Sequence, residues 1–161
     1  MQPLELTITE AGAASPLIRS LRLAAADGAT LPAFTPGAHV RVAIPGLAEP
    51  RSYSLMVTHA IAGETAAAFD APTSYRLGVR LETESSGGSR HMHALEVGDR
   101  ISVSAPKNDF PLHAAEAGEG ETVLIAGGIG ITPIASMAAA LASAGRPFVL
   151  HYSGRSRDQL A

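Results

Sequence analysis

Apolar and polar residues alternate through the first two thirds of the chain. Leu4, Leu6 and Ile8 alternate with Glu5, Thr7 and Thr9; Leu21 and Leu23 alternate with Ser20 and Arg22; Val40, Val42 and Ile44 alternate with His39, Arg41 and Ala43. A period of two sends successive side chains to opposite faces of a sheet, so each stretch reads as a strand with one buried face. Residues 51–58, 75–82 and 100–105 read as three more short strands, with Gly, Pro, Asp and Ser punctuating the gaps. Six strands at this spacing, with no long amphipathic helix between them, predict a six-stranded antiparallel β barrel of Greek-key type over residues 1–115. Residues 60–73 read as an Ala-rich hairpin insertion outside the core.

The pattern then changes. Residues 116–121, rich in Gly and Glu, read as a hinge. After it come a continuous apolar strand over 122–126, an Ala-rich helix over 132–144 and a second apolar strand over 147–152. Strand, helix, strand is a βαβ unit of a parallel sheet, and 156–160 could begin another helix. A parallel sheet needs several strands and helices on both faces. Residues 116–161 are therefore expected to be the start of an α/β domain, incomplete as it stands.

Charge and composition narrow the chemistry. Lys and Arg number 12 against 15 Asp and Glu, a net charge of −3, so no basic field exists to grip nucleic acid or an anionic membrane. The absence of cysteine removes disulfides, zinc–thiolate sites, iron–sulfur ligation and a thiol nucleophile, which leaves redox work to a bound organic cofactor. Aromatic content of 4% without Trp argues against base-stacking platforms. The long uncharged stretch 122–145 carries Gly127, Gly128, Gly130 and Pro133, which would break a spanning helix, and the N-terminus has no basic run. The expectation is a soluble, cytoplasmic protein without a membrane partner.

Three clusters could carry chemistry. Gly127-Gly-Ile-Gly-Ile-Thr-Pro133 lies between a strand and a helix, where glycines allow a sharp turn and close approach to a ligand. Thr132 is expected to cap the helix and Pro133 to fit its first turn, leaving free N–H groups for a phosphate. A tight turn without ligand fits this stretch equally well, since Pro133 stands where a dinucleotide fingerprint has its third glycine. Arg51-Ser52-Tyr53-Ser54 offers a guanidinium and a hydroxyl for a phosphate and a flat ring for a fused-ring ligand. An ordinary half-exposed strand is the simpler reading of that cluster alone. Ser86-Gly87-Gly88-Ser89-Arg90, preceding the short segment His91–Leu95, reads as a second anion-binding turn or a flexible loop.

Together, Arg51-Ser-Tyr-Ser-Leu, Gly87-Gly-Ser with Met92-His93, Pro106-Lys-Asn-Asp-Phe-Pro-Leu112 and Gly127-Gly-Ile-Gly-Ile-Thr-Pro133 occur in the order found in the ferredoxin–NADP reductase superfamily. The chain most resembles its phthalate dioxygenase reductase branch, which includes vanillate demethylase reductase subunits. The resemblance covers nearly the whole sequence except 60–73. It implies a flavin lobe in which Arg51, Ser52, Tyr53 and Ser54 line the flavin, with Ser54 near N5. It places Val79, Arg80 and Leu81 beside the ring and ribityl chain, and Gly87, Gly88 and Ser89 at the flavin phosphate. Gly128, Gly130, Thr132 and Pro133 match the start of the NAD(P)H lobe, with Thr132 facing both rings. Ser54 and Thr132 are thus the expected catalytic pair, and no metal site is expected.

The implied reaction is hydride transfer from NAD(P)H to a bound flavin, then single-electron release to an iron–sulfur acceptor of an oxygenase. FMN is the expected flavin, with FAD as the alternative. NADH is expected because Gly154-Arg-Ser156 resembles the Ala-Arg-Ser of NADH-using members, although Arg155 and Arg157 could meet the 2′-phosphate of NADPH. The chain departs from the branch in lacking a ferredoxin domain, its cysteines and a later Cys-Gly-Pro motif. It is expected to be a truncated form that holds flavin but reduces it poorly. The competing reading is a flavin-less remnant, or an interaction module whose open sheet invites self-association. Other candidates carry less: His91 and His93 lack further ligands, Glu82, Glu84 and Glu96 form a charged surface run, Ser104 and Ser136 lack a nucleophile elbow, and Asp99 sits in a turn.

Overall fold

The computed structural model describes residues 2–58, 64–113 and 120–156. Six strands make one antiparallel sheet: β1 (Leu4–Ser15), β2 (Ile18–Ala24), β3 (His39–Val42), β4 (Arg51–Ser54), β5 (Tyr75–Arg80) and β6 (Arg100–Val103). Their order is β4-β3-β6-β1-β2-β5. The alternation in the sequence fixes which face is inside. Leu6, Ile8, Leu21, Leu23, Val40 and Val42 are buried, whereas Glu5 and Arg41 are exposed. A one-residue slip would reverse every one of these. The two end strands approach each other just beyond β4, where the Met56 N–H donates to the Arg76 carbonyl at 2.9 Å, curling the sheet into a barrel.

The described part of the expected insertion, residues 64–73, is not a hairpin outside the core. Residues 59–63 lie outside the described set, but Glu64–Asp70 form a helix, α1. Its alanines favour helix, and it drives Phe69 into the barrel, edge-to-face with Phe34 at a centroid distance of 5.2 Å. Tyr75 also meets Phe34 edge-to-face, at 5.7 Å, and satisfies its hydroxyl by donating to the Pro32 carbonyl at 2.6 Å. A second short helix, α2 (Gly88–Ala94), packs on β5, where His93 Nε2 donates to the Val79 carbonyl at 2.7 Å.

Beyond the barrel, β7 (Thr122–Gly127), a 3₁₀ turn (Gly128–Gly130), α3 (Ile131–Ser143) and β8 (Phe148–Ser153) form the expected βαβ unit. β7 and β8 are parallel, with Thr122 opposite Phe148. The apolar run of β7 is not buried throughout. Leu124 and Ala126 pack with Ile134, Met137 and Leu141 of α3, while Val123 and Ile125 are 56% and 73% exposed on the other face. A single helix covers a single face of the pair. Most of the expected hinge, the 115/116 boundary and all but Ser156 of the expected last helix lie outside the described residues.

The helix α3 also belongs to the barrel, because Ala139 lies in the barrel's core cluster. Ser136, fully buried, accepts the Val57 N–H at 2.9 Å and donates to the Leu55 carbonyl at 2.7 Å. One hydroxyl thus satisfies two backbone groups of the segment after β4, which would otherwise be buried without partners. Gly37 (φ +96°) makes another close approach, since a Cβ there would stand 1.9 Å from the Phe110 carbonyl oxygen. Ser136→Ala should cost about 1–3 kcal/mol by stranding the Val57 N–H and the Leu55 carbonyl. Urea denaturation measures this, and an unchanged midpoint would mean that water or a backbone shift replaces the hydroxyl.

Candidate functional site

A cleft of about 750 Å³ opens between β4, the end of β5, the start of α2 and the turn leading into α3. It gathers Arg51, Ser52, Tyr53, Ser54, Val79, Arg80, Gly88, Ser89, Gly130, Thr132 and Pro133 from four separate stretches of sequence. All four residues of β4 reach it because β4 ends the sheet order, so that one side of the strand is left unpaired and faces the opening. Three expected residues lie elsewhere. Leu81 ties its N–H to the Leu17 carbonyl at 2.8 Å; Gly87 sits behind the lining as the cap of α2, at φ +112°. Gly128 lines an adjoining cleft of about 350 Å³ with Arg80, Gly127, Ser153, Gly154 and Arg155.

One end of the larger cleft is built for an anion. Arg51 Nη2 donates to Ser86 Oγ at 2.9 Å and Nη1 to the Glu49 carbonyl at 3.4 Å, which hold the guanidinium over the start of α2. Glycine leaves room beneath it, because a Cβ on Gly88 would lie 3.0 Å from Arg51 Cγ. Ser89 accepts the Glu82 N–H at 3.1 Å and so ties the 82–86 loop to the same helix. A guanidinium, hydroxyls and the unpaired N–H groups of a helix start converge there.

The other end is apolar and tight. A Cβ on Gly78 would meet Met56 Sδ at 2.9 Å and Thr132 Cγ2 at 3.1 Å, so the barrel wall and α3 close on each other across a bare strand backbone. Tyr53 is half-buried between the cleft and the barrel core. Burial raises its pKa above the ordinary value, and the Arg51 charge opposes that rise. Thr132 does not cap α3. The helix starts one residue earlier, with Gly130 as its cap, and Thr132 Oγ1 turns back to donate to the Ile129 carbonyl at 3.1 Å. Pro133 still falls in the first turn, where no N–H is needed.

Ser86 and Ile129, which belong to two of the sequence clusters, line the cleft as well, and so does Gly78, which the sequence reading did not single out. A glycine inside a strand marks a close backbone approach, and that signal was available at Gly78. Glu82 and Glu84, read as a surface run, stand at the cleft. Asp99 takes the turn role expected of it, its Oδ2 accepting the Glu96 N–H at 2.8 Å.

No family model matches the chain. It is 43% identical over 145 residues to the vanillate O-demethylase oxidoreductase of Pseudomonas sp. (strain HR199 / DSM 7063), a match covering 89% of this chain and 41% of that protein. It is 38% identical over 159 residues to the tetrachlorobenzoquinone reductase of Sphingobium chlorophenolicum, covering 98% of this chain and 45% of that one. Among solved structures, phthalate dioxygenase reductase superposes with a TM-score of 0.82 at 34% identity, over 99% of this chain and 46% of the other. The chain belongs to the ferredoxin reductase-like superfamily. It spans less than half the length of these relatives. Within the superfamily fold, the described residues comprise the barrel and the start of the nucleotide-binding domain.

The buried phenols of this reductase-like barrel have a pH consequence. Tyr53 and Tyr75 both have pKa values raised by burial from the ordinary 10.0. The neutral phenol is therefore favoured by folding, a stabilisation fully present below pH 10 and lost as pH rises through the folded-state values. Stability should fall at alkaline pH, beginning near that point. Urea melts as a function of pH check this, and Tyr75→Phe should flatten much of the alkaline slope.

Proposed function

We propose that the large cleft holds a flavin and that the chain acts as an electron-transfer flavoprotein domain working with a pyridine nucleotide. The observation that carries this reading is the polarity of the cleft: an anion-binding end at Arg51, Gly88 and Ser89, and a narrow flat end at Tyr53, Gly78 and Thr132. Its volume suits a cofactor-sized ligand. The donor set suits a phosphorylated ring system, and the space that a Cβ on Gly88 would take is left to the stem of Arg51. A bound flavin would supply the redox chemistry, exchanging a hydride with a nicotinamide and single electrons with an iron–sulfur partner.

The chain's own residues orient and enclose. Arg51 with the α2 turn fixes the phosphate, Val79 and Gly78 give a smooth wall along the barrel, and Ser54 offers a hydroxyl near the reacting edge. Thr132 and Pro133 form the opposite wall, on the nucleotide side. FMN is the favoured flavin because the chain falls in the phthalate dioxygenase reductase branch. NADH is favoured over NADPH because Gly154-Arg-Ser156 resembles the Ala-Arg-Ser of NADH-using members of the branch, although Arg155 and Arg157 follow β8 in sequence. The electron acceptor would be an iron–sulfur centre of an oxygenase system, the role named for phthalate dioxygenase reductase.

Titrating the purified chain with FMN and with FAD tests the reading by visible absorbance. One flavin per chain with perturbed bands is expected, and a colourless protein indifferent to both would sink it. Arg51→Gln should weaken FMN binding about 10–100-fold, the loss of a charge-assisted bond, while riboflavin, without phosphate, should lose little.

A second reading, self-association, has its own observation in the exposed Val123 and Ile125 on the outer face of the parallel pair. Parallel sheets are ordinarily covered on both faces. A second copy covering this face would give a dimer in sedimentation velocity that Ile125→Ser weakens. A monomer at high concentration would rule it out.

A further inference from the structure

Met56 follows β4 and turns out of the barrel, since Leu55 and Val57 on either side of it are buried inward. Its sulfur rests at the narrow end of the large cleft: Sδ lies 2.9 Å, and Thr132 Cγ2 3.1 Å, from where a Cβ on Gly78 would be. Gly78 and Thr132 line that cleft, whereas Met56 lines a separate cavity of about 80 Å³ on its far side. The side chain therefore separates the two spaces. Ser136 bonds the Leu55 carbonyl and the Val57 N–H, which holds the backbone on both sides of Met56 and leaves movement to the side chain.

Two properties single this methionine out. Met92 and Met137 are 0% and 3% exposed, whereas Met56 is half-buried, and thioether oxidation follows exposure. The cavity beside it also carries hydrogen-bond donors. Arg22, Thr58, Ser74 and Arg76 line it, with no carboxylate among its described lining residues. Glu10 meets the two arginines with one oxygen each, Oε1 at 3.0 Å from Arg22 Nη1 and Oε2 at 3.6 Å from Arg76 Nη2, and each guanidinium has further N–H groups to give. A thioether is a weak acceptor for such donors, whereas a sulfoxide is polar and takes them readily. The cavity has room for the added oxygen, since a single water needs only roughly 10–15 Å³.

We propose that Met56 is an oxidation site, at which hydrogen peroxide forms a sulfoxide whose oxygen turns into the small cavity and draws the sulfur off Gly78 and Thr132. A sulfur lone pair takes one oxygen of the peroxide, the O–O bond breaks and water leaves; the sulfur is oxidised by two electrons and the peroxide is reduced. Methionine sulfoxide reductases reverse the change. The contact between the barrel wall and the first turn of α3 is loosened, so the narrow end of the large cleft loses its fixed width. The modification itself needs no ligand, and its consequence for a cofactor rests on the flavin reading above.

Dilute hydrogen peroxide on the full chain, followed by peptide mass spectrometry and FMN titration, tests this. Met56 should gain one oxygen at least about tenfold faster than Met92 and Met137, and the treated chain should bind FMN about 3–10-fold more weakly. Methionine sulfoxide reductase should restore both the mass and the affinity. Met56→Leu, of similar volume but without sulfur, should show the same FMN affinity before and after treatment, and Met56→Gln should resemble the treated wild type. Oxidation of Met56 no faster than that of the two buried methionines would overturn the site. A treated Met56→Leu chain that loses FMN as the wild type does, or sulfoxide at Met56 with FMN affinity unchanged, would overturn its coupling to the cleft. A wild-type chain that binds no FMN would instead overturn the flavin reading; selective oxidation, with a lowered urea midpoint that the reductase restores, would then leave the site standing.

Discussion

The cleft exists because α3 is bonded to the barrel by one buried hydroxyl. Ser136 takes an N–H from Val57 and gives its proton to the Leu55 carbonyl, which are the first backbone groups after β4 that the sheet does not pair. Buried backbone groups must find partners, and here those partners come from the next structural unit. With that contact in place, the free side of β4 faces the start of α3 across a fixed gap. Ala139 packing into the barrel core and Met137 of α3, whose Cε lies 3.0 Å from where a Cβ on Gly37 would be, press the same two parts together. Without such ties, Arg51–Ser54 would be an exposed edge and the Gly128 turn an isolated loop.

Within this frame the small residues decide shape. Gly88 makes room for the Arg51 stem, and Gly78 lets Met56 and Thr132 converge over a strand. At both positions a Cβ would meet neighbouring side-chain atoms at 2.9–3.1 Å. The polar residues around them are committed to backbone partners: Ser89 to Glu82, Thr132 to Ile129 and His93 to Val79. These bonds fix the walls of the cleft, which is a condition for positioning a cofactor to within a fraction of an ångström.

Charge is arranged against the average of the chain. Arginines at 51, 80 and 155 gather along the connected clefts although acids outnumber bases overall. Glu82 and Glu84 line the larger cleft beside Arg51 and Arg80, and Glu82 pairs loosely with Arg80 at 3.7 Å.

The local pattern of the sequence determined the strands of the barrel, the faces they bury, the βαβ unit and the glycine turns, because periodicity and turn chemistry are properties of neighbouring residues. The order of the motifs along the chain also identified the superfamily. What the sequence did not reveal involves partners far apart. Phe69 enters the core because its helix finds Phe34, so an Ala-rich stretch that reads as an insertion is part of the packing. Ser136 has no motif at all, since its partners lie about eighty residues upstream. Thr132 looks like a helix cap, yet the 3₁₀ turn before it shifts the start of α3 by one residue and reverses its hydroxyl. Val123 and Ile125 read as buried because they are apolar, but burial depends on a covering surface, and α3 lies on the opposite face of β7. Sequence alone determined the elements and their inward faces through short-range periodicity; only tertiary structure decided which faces meet, and so where the cleft and its charges lie, because those contacts join residues that no local pattern links.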